Sequence, residues 1–423
     1  MTALVRHIPA SGDTSGLTDW TRLTNAIAEY SATGTLWTLV LSGMYYIFRP
    51  LVIGWRPDVT VFGQHDTIWP VALIGAGHAG IRYVGETISR PMIAYSGRLR
   101  GTVSQARMAN LMLDGNWRCR GLHANRVTYG SEFTGLELIR HRELGLDILD
   151  CWGSRWSNVF VHRTRGCALR IRECATTTFN GIKANGRSCW HRGDNAGPNM
   201  ELQHYECQHG REAALAKYGA NYEEAWPDPH EQLYSDYLDH WIQMPEAERA
   251  TVHVRVNYAA FRDFNLEGSQ PCEKPALYVK TPMRDQLWDG LYFESMYWRN
   301  NAITLAAARG SSSSDGNIRF RRIKAEGVTK DPVLPSTFLE SLVRTTGTLS
   351  NVEVEDAFTY DLQDAVIMCD GGQLYNSRCQ GIRSRNKTIP PSDWIKAKNG
   401  GTVSNAVPYS YNHAAIQEEQ VVE

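Results

Sequence analysis

The chain has 423 residues, 42% of them hydrophobic and 21% charged, with a formal net charge of −1; this composition excludes a disordered or collagen-like chain and leaves material for a large core. Its nine cysteines form no CxxC pair and no Cys/His group at zinc spacing, so they read as reduced core residues, and no metal or other cofactor is expected.

In chain order, the opening "MTALVRHIPASGD" has no apolar run of the kind that directs secretion, so the expectation is a protein held in the cytoplasm until lysis, or one whose leader has been removed. "TDWTRLTNAIAEY" then reads as a helix capped by Thr18 or Asp19, with Trp20, Leu23, Ile27 and Tyr30 on one face. The uncharged stretch from Ser31 to Phe48 is broken by Gly34 and Gly43, which makes it a poor membrane span. No membrane insertion is expected.

From there short alternating apolar runs recur, most of them introduced by Asn or Asp: Asp58 in "DVTVF", Asn110 in "ANLML", Asn158 in "SNVFV", Asn180 in "FNGIK", Asn199 in "PNMEL", Asn265 in "FNLEG", Asp289 in "DGLYF", Asn317 in "GNIRF" and Asn351 in "SNVEV". Ala79 and Thr134 fill the same place in two further runs. Successive intervals are 19 to 34 residues, apart from the 66 between Asn199 and Asn265. That interval contains an acidic stretch with spaced apolar residues, read as a helical insertion at about 211–249. After 380 the periodicity stops, and 381–423 reads as a C-terminal tail.

Repeats of this length made of β-branched and aromatic residues predict a solenoid of short strands, each coil burying its apolar face only against its neighbours. Asn suits the turn because it tolerates a left-handed backbone and can hydrogen-bond to the next Asn in a stack. The expected plan is all-β: residues 1–34 with the capping helix, then 35–380 as about eleven stacked coils with one helical insertion, then the tail.

"SGDTSGLTDWTRLTNAI" followed by "TLVLSGMYYIFRPLVI" resembles the N-terminal signature of the pectate-lyase-like superfamily, a Gly-Asp and acidic cluster leading into a helix, then strand, Gly-x-Tyr and strand. Trp20 stands where the signature has its second aspartate. The resemblance implies a single-stranded right-handed parallel β-helix. That superfamily holds pectate lyases, polygalacturonases, epimerases and bacteriophage tailspikes, and the signature without a secretion leader implies a virion tail protein, generally a homotrimer.

Side chains alternate along a strand, so counting from each turn residue predicts an outward column: Met112 and Asp114, Glu137, Phe160 and His162, Lys183 and Asn185, Glu201 and Gln203, Glu267, Tyr292 and Glu294, Arg319 and Arg321, Glu353 and Glu355. Carboxylates on adjacent coils would lie about 5 Å apart, near the separation of a retaining glycosidase pair, so Glu201, Glu267 and Glu294 are the candidate catalytic group. The bland alternative is a row of solvated charges. From Gly97 to Arg192 there are 16 Lys and Arg against 7 Asp and Glu, a basic stretch with no nucleic-acid motif, which points to an anionic polymer. His162, Lys183, Tyr292, Arg163, Arg165 and Arg319 are the candidate substrate-binding residues, with the arginine forks suited to acid groups. Trp117, Trp152, Trp156 and Trp190 read as core or interface rather than sugar platforms.

"RIK" at Arg322 to Lys324 resembles one element of the polygalacturonase pattern, whose other elements are absent; the calcium and arginine motifs of pectate lyases are absent as well. Three readings stay open. The first is a phage tail spike or fibre that binds, with or without depolymerising, a bacterial surface polysaccharide, with other tail proteins as partners and a virion location. The second is an extracellular monomeric lyase or hydrolase of an acidic glycan, and the third a non-catalytic structural virion protein.

Overall fold

A computed structural model describes residues 4–31, 37–53, 67–68, 70–96, 102–149, 151–164, 167–186, 252–257, 260–268, 276–280, 284–294, 301–307, 316–325, 339–359, 362–384 and 389–409. Every strand pairing among them is parallel; Leu4–Pro9 pairs with the next strand, Trp37–Ile47, and from there on consecutive strands pair not with each other but with the strand one coil away. Thus Glu132–Ile139 pairs with Arg155–Thr164, while Leu144–Leu149, which lies between them in the chain, pairs with Cys167–Ala175. Repeated along the chain, this makes a parallel β-helix.

The inside is filled by aligned columns. Phe133, Trp156, Phe179, Phe261, Trp288 and Phe320 are in register on successive coils and all at most 1% exposed. Their rings stack, at 4.0 Å between the centroids of Phe133 and Trp156, 5.1 Å for Phe179 and Phe261, and 3.7 Å for Phe261 and Trp288. A flat ring on each rung presents the same face to both neighbours, so like stacks on like at the coil spacing. Trp156 is therefore core, as the sequence implied; Trp117 and Trp152 are half-buried, and Trp190 lies outside the described residues.

The asparagine column divides between two corners. One corner runs Asn110, Gly135, Asn158, Gly181, Asp263, Gly290, Arg322, Asp356 and Gly381, all with positive φ. The other, five residues earlier in each coil, runs Gln105, Gly130, Gly153, Thr176, then Asp285, Asn317, Asn351, Asn376 and Asn405, again all left-handed. Hydrogen bonds pass along this second column, from Asn317 Nδ2 to Asp285 Oδ1 at 2.9 Å and from Asn351 Nδ2 to Asn317 Oδ1 at 2.8 Å. Asn180 and Asp289, each one residue before a corner glycine, and Asn265, two residues past the corner at Asp263, are not left-handed.

Three other expectations are corrected. The capping carboxylate of α1 (Leu17–Ser31) is Asp13, which accepts the backbone N–H groups of Ser15 and Thr18 at 2.9 and 3.1 Å. Asp19 is fully buried and instead ties the chain on either side of the helix, accepting the N–H groups of Ser11 and Tyr46 at 2.9 and 3.1 Å. Second, Thr178–Gly186 pairs directly with Ala260–Gly268, so these two strands belong to adjacent coils; the run read at Asn199 falls outside the described residues. The helical reading of 211–249 falls outside the described residues. Third, the coils run on past 380: Ile395–Lys398, Thr402–Ser404 and Val407–Tyr409 each pair with the coil before, as strands too short for their alternation to be legible.

Candidate functional site

Each coil turns three outward faces, and two of them are committed to structure. On the face of Arg120–Asn125, Leu144–Leu149 and Cys167–Ala175, the outward side chains of His123, Asn125, Asp147, Leu149 and Arg170 are all buried, so that face is closed. Its charges are paired inside: Asp147 takes Arg170 Nε at 2.8 Å and faces His123 Nδ1 at 3.2 Å.

The short face between the two corners carries a ladder of ion pairs. Arg319 Nε meets Glu353 at 2.6 Å, Arg321 meets Glu355 at 3.1 Å, and Arg378 reaches both glutamates at 2.9 and 3.4 Å. Arg319 is therefore engaged in stitching coils. The sequence column slipped onto this face because Asn317 and Asn351 stand at the earlier corner, five residues before Arg322 and Asp356.

The third face follows the corner of Asn110, Asn158 and Asp263, and it is polar and partly exposed. Its register runs Met112, Glu137, Phe160, Lys183, Asn265, Tyr292, Lys324, Phe358, Arg383. The column brings together His162, Lys183 and Tyr292 of the predicted binding set. His162 stacks on Phe160 with centroids 4.1 Å apart and donates from Nε2 to Glu137 Oε1 at 2.9 Å. Burial pulls His162 below its ordinary pKa, and the neighbouring Arg163 and Lys183 charges add to this while Glu137 opposes it, so the ring is neutral at pH 7. Lys183 Nζ lies 5.2 Å from the Phe160 ring centroid, and Lys324 Nζ lies 5.0 Å from that of Tyr292.

Two residues beyond Asn265 and Tyr292, Glu267 and Glu294 are register partners on adjacent strands. Glu201 and Arg165 lie outside the described residues. Arg163 takes the left-handed conformation just after His162. The sequence column gives Glu137 no role, places Asn265 at a turn, and reaches Lys324 only through the "RIK" resemblance. The five-residue interval between left-handed positions is the signal that places all three on this face. Arg322, the first residue of that motif, is a corner residue paired with Asp289 at 2.6 Å.

Beside this face a buried carboxylate anchors two coils. Asp114 is 1% exposed, takes Arg82 Nε at 2.7 Å and is also paired with Arg140; these cations hold its pKa down against burial, which alone would raise it. Among the described residues no group of three metal-ligating side chains occurs, and no helix is long and apolar enough to cross a membrane.

The described residues thus form a parallel β-helix with an open polar face. No family model and no curated protein matches the chain. Solved structures with a similar coil include the mannuronan C-5 epimerase AlgE4 A-module of Azotobacter vinelandii, with a TM-score of 0.47 and 11% identity over 96% of this chain and 99% of that one. The polygalacturonase of Erwinia carotovora gives 0.41 and 8% over 97% and 96%, and the Dettilon tailspike protein 0.34 and 10% over 93% and 68%. At these scores no residue role is carried over from them.

Proposed function

We propose that the open face binds an extended polysaccharide lying across the coils and cleaves it between Glu267 and Glu294. The observation that supports this is their backbone register: partners on adjacent parallel strands stand about 4.8 Å apart, close to the separation of a retaining acid and nucleophile. In that scheme one carboxyl group donates its proton to the glycosidic oxygen while the other, as carboxylate, attacks the anomeric carbon, and repulsion between the two keeps one protonated. Glu137, His162 and Lys183 on the coils before the carboxylates, with Asn265 and Tyr292 on the carboxylates' own coils, hold the chain on the face.

The setting we propose is a virion tail spike or fibre, a homotrimer acting on a bacterial surface polysaccharide, supported by the resemblance of the segment Ser11 to Ile27. An extracellular monomeric lyase or hydrolase is the rival setting. Light scattering separates them, since a trimer has three times the 47.6 kDa chain mass. For the activity, purified bacterial surface polysaccharides are screened for binding and for new reducing ends. Glu267→Gln and Glu294→Gln are each expected to lower turnover at least about a hundredfold with binding retained. Cleavage at the parent rate in both variants would overturn the catalytic assignment, and absence of binding to any polysaccharide would overturn the reading as a whole.

A further inference from the structure

We infer that the earlier corner of the coil, at Gly130 and Gly153, carries a second carbohydrate site, separate from the open face, which takes an uncharged, hydroxyl-rich sugar chain. Two aromatic side chains mark it. Tyr129 and Trp152 stand three residues before the register partners Glu132 and Arg155, each directly before a left-handed glycine, so they occupy the same place on successive coils. Tyr129 is 63% exposed and Trp152 half-buried, and among the described residues neither ring is engaged by another ring or by a cation.

Tyr129 is exposed and yet seated. The turn from Thr128 to Ser131, closed by the Ser131 N–H on the Thr128 carbonyl at 3.2 Å, carries it outward, and its ring lies against Gly153, where an added Cβ would stand 2.2 Å from Cδ1. The ring thus rests on backbone while most of its surface faces solvent, which suits stacking on the flat apolar side of a pyranose.

The polar half of the site lies just past the corner, on the short face. Arg107, Glu132 and Arg155 are register partners on three coils and all are exposed; among the described residues none of the three side chains has a hydrogen bond or an ion pair. Further along the same column Arg319, Glu353 and Arg378 repeat this order of charges and pair with one another. Stitching of the coils therefore accounts for the second triad and leaves the first available to a ligand.

Arginine offers only donors and a carboxylate only acceptors, so the first triad presents donor, acceptor and donor at the rung spacing of about 4.8 Å. A polyanion would be repelled by Glu132 and a polycation by the two arginines. Sugar hydroxyls donate and accept alike, so an uncharged chain meets every group of the row. The Thr134 and Ser157 hydroxyls, bonded to each other at 2.9 Å in the neighbouring column, extend the same polar strip. A second copy of the chain suits it less, because three parallel copies meeting here about a common axis would set Glu132 against Glu132 at one level.

Calorimetry of the full chain with neutral gluco-, manno- and galacto-hexasaccharides, beside an oligogalacturonate, tests the site. At least one neutral hexasaccharide is expected to bind, with an affinity that changes less than about twofold between roughly 0.05 and 0.5 M salt, since no charge on the ligand is screened. Tyr129→Ser and Glu132→Ala should each weaken that binding at least about fivefold, and Tyr129→Phe should retain it, because the ring and not its hydroxyl makes the contact. The melting temperature and solution mass should stay unchanged in all three variants, whose altered side chains are exposed.

Failure of every neutral hexasaccharide to bind overturns the inference. Neutral binding that survives Tyr129→Ser and Glu132→Ala together would put the sugar elsewhere, overturning the second site while leaving the open-face function intact. A lower solution mass in Tyr129→Ser would make the corner a contact between copies of the chain, which overturns it as well.

Discussion

His141 sits wholly inside the coil, against backbone that leaves it no slack: a Cβ added to Gly115 would lie 2.4 Å from its Nδ1, and one added to Gly121 would lie 2.9 Å from its Nε2. Burial lowers its pKa to about 3, with the nearby Asp114 charge offsetting only part of the cost. The unfolded chain takes up a proton at this residue near pH 6.5, whereas the folded chain does so only near pH 3. Its contribution to stability is therefore complete above pH 6.5 and is lost progressively as the pH falls from 6.5 to 3, amounting to about 2 kcal/mol by pH 5. Glu143, held at about 2 mainly by Arg120 and Arg142 against burial, adds to the acid loss only below its ordinary value of 4.5. His141→Leu should flatten the fall in denaturation midpoint between pH 7 and 5, and an unchanged slope in that variant would show that another group governs the window.

At the scale of the element, the unit of this fold is a four-residue strand between two left-handed residues. The first corner is built by alternation. Asn or Asp on one coil leans toward the next, where Gly leaves room for it: a Cβ on Gly135 would lie 2.6 Å from Asn110 Oδ1, one on Gly181 would lie 2.9 Å from Asn158 Oδ1, and one on Gly290 would lie 2.7 Å from Asp263 Oδ1. Asparagine is conspicuous in the sequence and glycine is not, since glycine occurs in many other turns. That is why the fold was legible while the register slipped onto Asn180, Asn265 and Asp289. Gly290→Ala should cost at least 1 to 2 kcal/mol, the usual cost of a left-handed alanine, with the Asp263 overlap added. Gly12→Ala is the control, because Gly12 is equally left-handed, with φ +79 against +80, but has nothing within 4 Å of its Cβ position. Equal losses of melting temperature in the two variants would rule out the side-chain overlap as the cause.

Across the whole molecule, stacking decides both what the sequence could reveal and where the structure is vulnerable. The period of about 25 residues and the polar outward column were visible because every coil repeats them. The junction between Gly186 and Val252 was not, since the strands flanking it pair with coils far apart in the chain, and no local pattern marks which neighbour a rung will choose. The same logic makes the ends unlike the middle, because a terminal coil has a free strand edge and an uncovered core. At the N-terminal end β1 (Leu4–Pro9) pairs with β2 (Trp37–Ile47), and α1 packs on β2 with Leu23, Ala26 and Ile27 buried. Tyr45, within the Gly-x-Tyr of the signature, bonds from its hydroxyl to the Ile8 carbonyl, so the segment resembling the superfamily signature is the device that closes the stack. Removing residues 1–35 exposes the edge of β2 and the core residues Leu39 and Leu41 beneath it, a row of unpaired backbone groups beside apolar surface. The truncated chain is expected to associate through that edge, giving large, concentration-dependent species in light scattering. Asp19→Asn, which keeps an acceptor oxygen while removing the charge, should stay soluble with a lowered melting temperature. A truncated chain with the same mass and melting temperature as the full one would mean that the coils below β2 close themselves.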